Sequence, residues 1–205
     1  MLFKRAFSTT RQRILPPGFV RPCSPVLVAK PPTGSGWLHE VKHDGFRLLA
    51  LKDGGRVRLW SRRGADFTDR FLRIAEAVRR LPADRALLDG EAVVFRPDGL
   101  SDFVSLLTKR GGEKATLVAF DLLSLDGEDL RLRPIEERRE ALSGLVTRLD
   151  GILLSEAIEA EGELVFIKAC ALGLEGIVSK RAGSLYRSRT SRHWLKCKNP
   201  AFIRM

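Results

Sequence analysis

Glu40-Val41-Lys42-His43-Asp44-Gly45-Phe46-Arg47 is an apolar, strand-like approach that delivers a lysine into an Asp-Gly turn. The chain then resumes as a second strand, Phe46-Arg47-Leu48-Leu49. A turn of this kind holds the lysine amine out of the sheet, over whatever binds there. An amine attacks phosphorus only when deprotonated, which desolvation or neighbouring cations favour. Three fixed residues in the pattern Lys-x-Asp-Gly recur by chance about once in 8,000 positions, so the surrounding sequence must supply the rest of the meaning.

Working outward, strands are expected near 38–42, 46–52 and 56–61, with Asp53-Gly54-Gly55 as a hairpin turn. Arg56-Val57-Arg58-Leu59-Trp60 alternates polar with apolar residues, which buries one face. Thr68 to Arg80 has helical spacing, with Phe71, Leu72, Ala75 and Val78 inward and Pro82 as the stop. Strands follow at about 86–96 and 116–124, separated by a helix that Ser101 caps. One helix opens at Pro134 and runs to about Val146, and another spans roughly Glu163 to Leu172 and ends at Gly173. The last strands are 176–181 and 193–198. Residues 12–36, rich in proline and glycine, read as an irregular lead-in. There is no repeat or low-complexity tract. This order describes an α+β domain of mainly antiparallel sheets flanked by helices.

A length of 205 residues with 44% apolar content is enough for a single core. No apolar run approaches the ~20 residues that span a bilayer, so a soluble protein with no membrane partner is expected. The net charge of +11 is unevenly placed. Residues 1–39 carry six Lys/Arg and no acid, residues 176–205 carry eight and no acid, and the segment between is net −3. Basic ends around a mildly acidic middle suit a polyanion such as nucleic acid, and also suit a generic basic surface. Cys23, Cys170 and Cys197 are odd in number and lack Cys-x-x-Cys spacing, so a reducing, cytosolic setting is expected, without disulfides or a zinc site. Residues 1–19 read as a basic irregular leader. Its first eleven residues share their basic, hydroxylated, acid-free composition with organelle transit peptides.

Five further signals stand in order behind Lys42: Ser61-Arg62-Arg63-Gly64, Leu88-Asp89-Gly90-Glu91, Ala119-Phe120-Asp121-Leu122-Leu123, Glu175-Gly176-Ile177-Val178-Ser179-Lys180-Arg181 and Trp194-Leu195-Lys196-Cys197-Lys198. The series resembles that of the covalent nucleotidyltransferases. Its wording is similar to the ATP-dependent DNA ligases, above all the ligase domain of bacterial end-joining ligases, over about residues 20–204. The resemblance implies an ATP-grasp-like adenylation domain over 20–205 and a lysyl-AMP intermediate on Lys42. It gives the ribose to Glu91, a divalent metal (Mg2+ or Mn2+) to Glu175 and adenine stacking to Phe120.

Several of these residues also have readings of their own. Lone strand-end glutamates such as Glu91 and Glu175 are commonly solvated charges, and an aromatic such as Phe120 in an aliphatic strand is commonly core. Lys196 and Lys198, two apart on a strand, share a face and would repel unless an anion such as a triphosphate lies between them. Arg47 and Arg62 offer forked donors to phosphate or ribose oxygens. Glu40 shares the strand face of Lys42, either to read the adenine edge or to pair with Arg47 or another base.

The implied reaction joins nicked or broken double-stranded DNA in the bacterial cytoplasm, at the nucleoid, in DNA repair. Ligases of this group carry an OB-fold domain after the Trp-Leu-Lys-x-Lys strand, whereas this sequence ends seven residues past Lys198. The expectation is therefore an adenylation domain that lacks the OB fold and works with a separate OB-fold or end-joining partner. An accessory nucleotide- and DNA-binding module that does not seal, and an RNA ligase-like nucleotidyltransferase, are the alternative readings.

Overall fold

Period-two alternation along Phe46–Asp53 sends Leu48 and Ala50 to one face and Leu49 and Leu51 to the other, and the fold buries both faces. The computed structural model describes residues 18–147 and 149–204. Most of the expected basic leader therefore lies outside the described residues.

Among the described residues, ten strands form two sheets. β1 (Ser24–Leu27), β2 (Trp37–Val41), β9 (Gly176–Arg181) and β10 (Thr190–Lys198) make the first, in the order β1-β10-β9-β2. β3 (Phe46–Asp53), β4 (Arg56–Ser61), β5 (Arg85–Val93), β6 (Thr116–Leu125) and β7 (Glu128–Asp129) make the second, in the order β4-β3-β5-β6-β7. β8 (Ile152–Leu154) lies beside β6. Among the described residues, only the β1–β10 and β6–β8 pairs are parallel. The chain passes from the first sheet to the second between Val41 and Phe46, inside the lysine turn itself.

Two helices, α1 (Leu72–Arg79) and α4 (Ile135–Val146), cover the outer face of the second sheet. Leu48, Leu59, Ile74, Leu88, Leu117 and Leu142 are wholly buried there. Truncating one such leucine to alanine typically costs about 2–5 kcal/mol. A smaller cluster, including Leu49, Trp60, Leu87, Tyr186 and Trp194, fills the space between the sheets. α5 (Gly162–Ala171) packs its Val165 and Ala169 on Ile177 and Cys197 of the first sheet. Asp121 and Arg138, both fully buried, tie α4 to β6 through paired hydrogen bonds of 2.7 and 2.9 Å.

Most expected elements are present, with shifts that have local causes. The helix expected from Thr68 begins at Leu72, because the Thr68 hydroxyl is committed to the Leu59 N–H and to Asp66. Leu72 is consequently 56% exposed, and Ile74, Ala75, Ala77 and Val78 form the inward set, with Phe71 buried just before it. Asp102 rather than Ser101 caps α2 (Phe103–Leu106), accepting from the Ser105 N–H at 2.8 Å. α3 (Lys109–Lys114) follows, capped by Thr108. β1 lies inside the lead-in read as irregular, since its partner β10 is far along the chain and leaves no local signal. The three cysteines are free, and no helix is long and apolar enough to cross a membrane among the described residues.

Candidate active site

A cleft of about 410 Å³ opens between the two sheets. Seven of the nine residues singled out in the sequence line it: Lys42, Glu40, Arg47, Arg62, Glu91, Phe120 and Lys196. Glu175 and Lys198 stand behind Lys42 instead. The Lys42 ammonium donates to Glu175 Oε2 at 2.5 Å, and Lys198 Nζ lies 3.0 Å from Glu175 Oε1. One buried carboxylate thus holds two lysines, only one of which faces the cleft.

Two glycines permit this placement. A Cβ on Gly45 would stand 2.2 Å from the Ala92 carbonyl oxygen, so only glycine lets the Lys42 turn close on β5. Gly176 has φ +138°, and a Cβ there would meet the Cys197 carbonyl oxygen at 2.1 Å. Its own carbonyl accepts the Lys42 N–H at 2.9 Å, which sets the lysine backbone against the segment bearing Glu175.

Glu40 is 2% exposed and anchors a network under the cleft. Its Oε1 accepts from Arg139 and Lys180, each at 2.7 Å, and its Oε2 from the Ser155 hydroxyl at 2.8 Å. Burial pulls the Lys180 ammonium below the usual lysine range, against the opposing pull of Glu40. The same ammonium sits 4.5 Å from the Phe120 ring centroid and 4.4 Å from that of Trp194. Arg47 is turned away from Glu40: its guanidinium forks onto Asp89 at 2.8 and 2.6 Å, and Tyr186 donates to the same carboxylate at 2.6 Å. The Arg47 fork expected to be offered to phosphate or ribose is therefore largely held by protein, with its Cζ 5.0 Å from the Phe120 centroid.

Sequence reasoning did not single out Arg139, Ser155, Asp89, Tyr186 or Lys180 as site residues. Lys180 and Asp89 do stand within quoted motifs, and period-two spacing places Lys180 diagonally across from Glu40 once β2 and β9 are paired. Arg139 and Ser155 carry no signal of this kind, since they reach Glu40 over 99 and 115 residues.

Electrostatics distinguish the groups at the cleft. Burial pulls the Lys196 ammonium down, and the positive charges of Lys42, Lys198 and Arg62 add to the effect. Burial pushes the Glu91 carboxyl from 4.5 up to about 7, with Lys42 and Arg47 pulling the other way. The folded chain therefore keeps this proton to higher pH than the unfolded chain. The stabilisation is complete below about pH 4.5 and is lost as pH rises through about 7. Its upper bound is about 3 kcal/mol. Urea unfolding of Glu91→Gln, compared with the parent between pH 4.5 and 7, should show a flatter fall in stability; parallel curves would assign the slope to another group.

Among the described residues no three His, Cys, Asp or Glu cluster as a ready-made metal cage. Glu175 instead offers a single carboxylate close to the cleft. Mg2+ or Mn2+ takes one or two protein carboxylates together with substrate phosphate oxygens, and Glu175 would have to release Lys42 or Lys198 to hold one.

Comparison with known proteins supplies the family. The family model described as ATP dependent DNA ligase domain matches residues 24–198. The multifunctional non-homologous end joining protein LigD of Pseudomonas aeruginosa is 40% identical over 187 residues, covering 89% of this chain and 22% of that protein. A probable DNA ligase of Anaeromyxobacter is 36% identical over 174 residues, covering 78% of this chain and 33% of the relative. The chain thus spans a third or less of the length of these relatives. Among solved structures, the ligase domain of Mycobacterium tuberculosis LigD superposes with TM-score 0.75 at 31% identity, over 87% of this chain and 60% of that one. A mycobacterial DNA ligase D complexed with ATP and MES gives 0.69 at 33% identity, over 85% and 60%.

Proposed function

We propose that this chain, which belongs to the ATP-dependent DNA ligase domain family, takes AMP from ATP onto Lys42 and passes it to a DNA 5′-phosphate. The observation that carries the reading is the position of the Lys42 amine. It stands at a cleft of nucleotide-binding size, with one buried carboxylate behind it and Lys196 and Arg62 on the cleft wall.

In the first step the amine of Lys42 forms a bond to the α-phosphorus of ATP as the bond to the bridging oxygen breaks. The Lys42 ammonium gives one proton to water before it attacks, pyrophosphate leaves with the electron pair, and the second proton lost by the nitrogen also passes to water. Glu175, already hydrogen-bonded to Lys42, holds the nitrogen in line, while Lys196 and Arg62 offset charge on the phosphates. Glu175 would hold a magnesium or manganese ion, which would supply further charge neutralisation for the phosphates. Phe120 offers the base a stacking surface, worth ~1–3 kcal/mol in comparable sites, and the proposed roles of Glu91 and Glu40, both at the cleft wall, are to bind the ribose and the base edge. A DNA 5′-phosphate oxygen then displaces Lys42 from AMP, and a 3′-hydroxyl displaces AMP to close the phosphodiester bond.

The end-joining designation of the Pseudomonas relative supports broken double-stranded DNA as the proposed substrate, with the nucleoid as the proposed setting of the reaction. Because the chain spans a third or less of such relatives, an OB-fold domain or an end-joining partner is the proposed complement for gripping DNA. Incubation with labelled ATP or GTP and magnesium should add AMP, not GMP, to the protein in an acid-labile bond. Transfer to nicked DNA rather than nicked RNA should follow. Uptake of GMP, or transfer only to RNA, would move the chain to another branch of the lysine nucleotidyltransferases.

The cationic wall has its own expected result. Lys196→Met keeps most of the packing volume but removes a charge facing the cleft, and Lys198→Met removes the second cation on Glu175. Each should slow AMP incorporation by at least about tenfold, the ~1.4 kcal/mol expected for one charge-assisted contact. Parent-like rates in both would return the pair to an ordinary solvated face.

A further inference from the structure

Arg204 reaches back across the molecule to the nucleophile's own turn. Its Nε and Nη2 donate to Asp44 Oδ2 and Oδ1 at 2.7 and 2.5 Å, a two-point clamp on a carboxylate that is 4% exposed. Its guanidinium lies 4.3 Å from the Phe103 ring centroid, and Phe103 packs 5.3 Å from Phe46, the first residue of β3. The segment that delivers Arg204 is itself anchored. The Asn199 N–H donates to the Glu175 carbonyl at 2.9 Å, and Asn199 Nδ2 donates to the Leu174 carbonyl at 3.0 Å. Residues 199–204 therefore run from the backbone of Glu175 to the side chain of Asp44.

We infer that Arg204 is a positioning residue for Lys42, acting through Asp44. Arg204 is the only ion-pair partner of Asp44 among the described residues. Without it, a buried carboxylate two residues from Lys42 would stand uncompensated at the point where the chain changes sheets. Such a group would compete with Glu175 for the Lys42 ammonium. Paired with Arg204, it becomes a fixed, neutralised strut under the turn. Arg204 does not line the cleft, so its influence falls on the rate of attack rather than on nucleotide binding.

The inference rests on the functional reading above, and a double-mutant cycle on the full chain separates the two. Lys42–AMP formation is measured against ATP concentration for the parent, Arg204→Gln, Asp44→Asn and the double variant, with unfolding midpoints alongside. Arg204→Gln should lower the maximal rate about tenfold and leave the half-saturating ATP concentration within about twofold, the loss of one charge-assisted pair. Millimolar guanidinium should recover part of that rate, since the Arg204 side chain is half exposed. On the Asp44→Asn background, Arg204→Gln should change the rate by less than about twofold, because its partner is gone. Should Arg204→Gln fail to fold, Arg204→Lys carries the same comparison, with a loss of about threefold expected from a cation that cannot fork. A full additional loss on the Asp44→Asn background, a shift in half-saturating ATP at unchanged rate, or a parent-like rate would each overturn the inference. A parent that takes up no AMP overturns the functional reading and this inference with it, whereas a labelled parent matched by Arg204→Gln overturns only the role of Arg204.

Discussion

Lys42→Ala should abolish acid-labile AMP uptake, with at least about a thousandfold loss in rate, because the substitution removes the atom that forms the covalent bond. The other lysines near the cleft are poor substitutes. Lys180 is 1% exposed and held by Glu40, and Lys198 leans on Glu175 from outside the cleft wall. Lys196 does line the cleft, but it lies on β10, with no Asp-Gly turn and no ion-paired carboxylate among the described residues. Intact-protein mass before and after acid reads the result directly. Removing Lys42 also leaves the buried Glu175 carboxylate with Lys198 as its remaining cation, so the variant should be checked for folding by its unfolding midpoint. A folded Lys42→Ala protein that gained AMP mass as fast as the parent would transfer the nucleophile's role to another residue. Lys42→Arg makes the complementary case. It retains a cation for Glu175, yet a guanidinium does not lose its proton in this range and should be equally inactive.

The residues that carry local signals were legible in the sequence. Lys42 announced itself through an Asp-Gly turn between two apolar strands, and the hairpin at Gly54-Gly55 and the proline start of α4 followed from turn and cap chemistry. The α+β order of mainly antiparallel strands was readable for the same reason, since β3 to β6 alternate or run apolar over their own length, whereas the short strands Glu128–Asp129 and Ile152–Leu154 were not expected. What stayed hidden depends on distance. β1 is a strand only because β10 lies beside it, and Ser24 pairs with Thr190 across most of the chain. The start of α1 was misplaced by four residues because a single hydroxyl, that of Thr68, prefers a tertiary partner on β4 to a helical role. Within the cleft, Arg47 was readable as a forked donor but not as one already engaged by Asp89. Glu40 was readable as either a base contact or an ion-pair partner. The structure supplies its partners, Arg139 and Lys180, neither of which is a neighbour in sequence.

That network should dominate the stability of the cleft floor. Lys180→Met should destabilise the domain by about 3–5 kcal/mol, the usual range for removing one member of a buried ion pair. The lysine is 1% exposed, and its ammonium satisfies Glu40, accepts the faces of Phe120 and Trp194 and donates to the Phe120 carbonyl at 3.2 Å. Methionine nearly preserves the volume, so the loss reports charge rather than a cavity. Glu40→Gln should also destabilise, since it leaves Lys180 buried with its closest anion gone and Arg139 without its ion-pair partner. Combining the two substitutions should recover part of either loss, because each removes the charge the other leaves stranded. Urea midpoints at unchanged slope provide the measurement. Strict additivity of the two losses would mean that Lys180 and Glu40 act independently, through packing against Phe120 and Trp194 rather than through each other. The coupling matters for chemistry as well as for folding. Phe120 contributes both its ring to the cleft and its carbonyl to Lys180, so loosening the Glu40 network should free the aromatic wall and raise the ATP concentration needed for half-saturation before it changes the rate at Lys42.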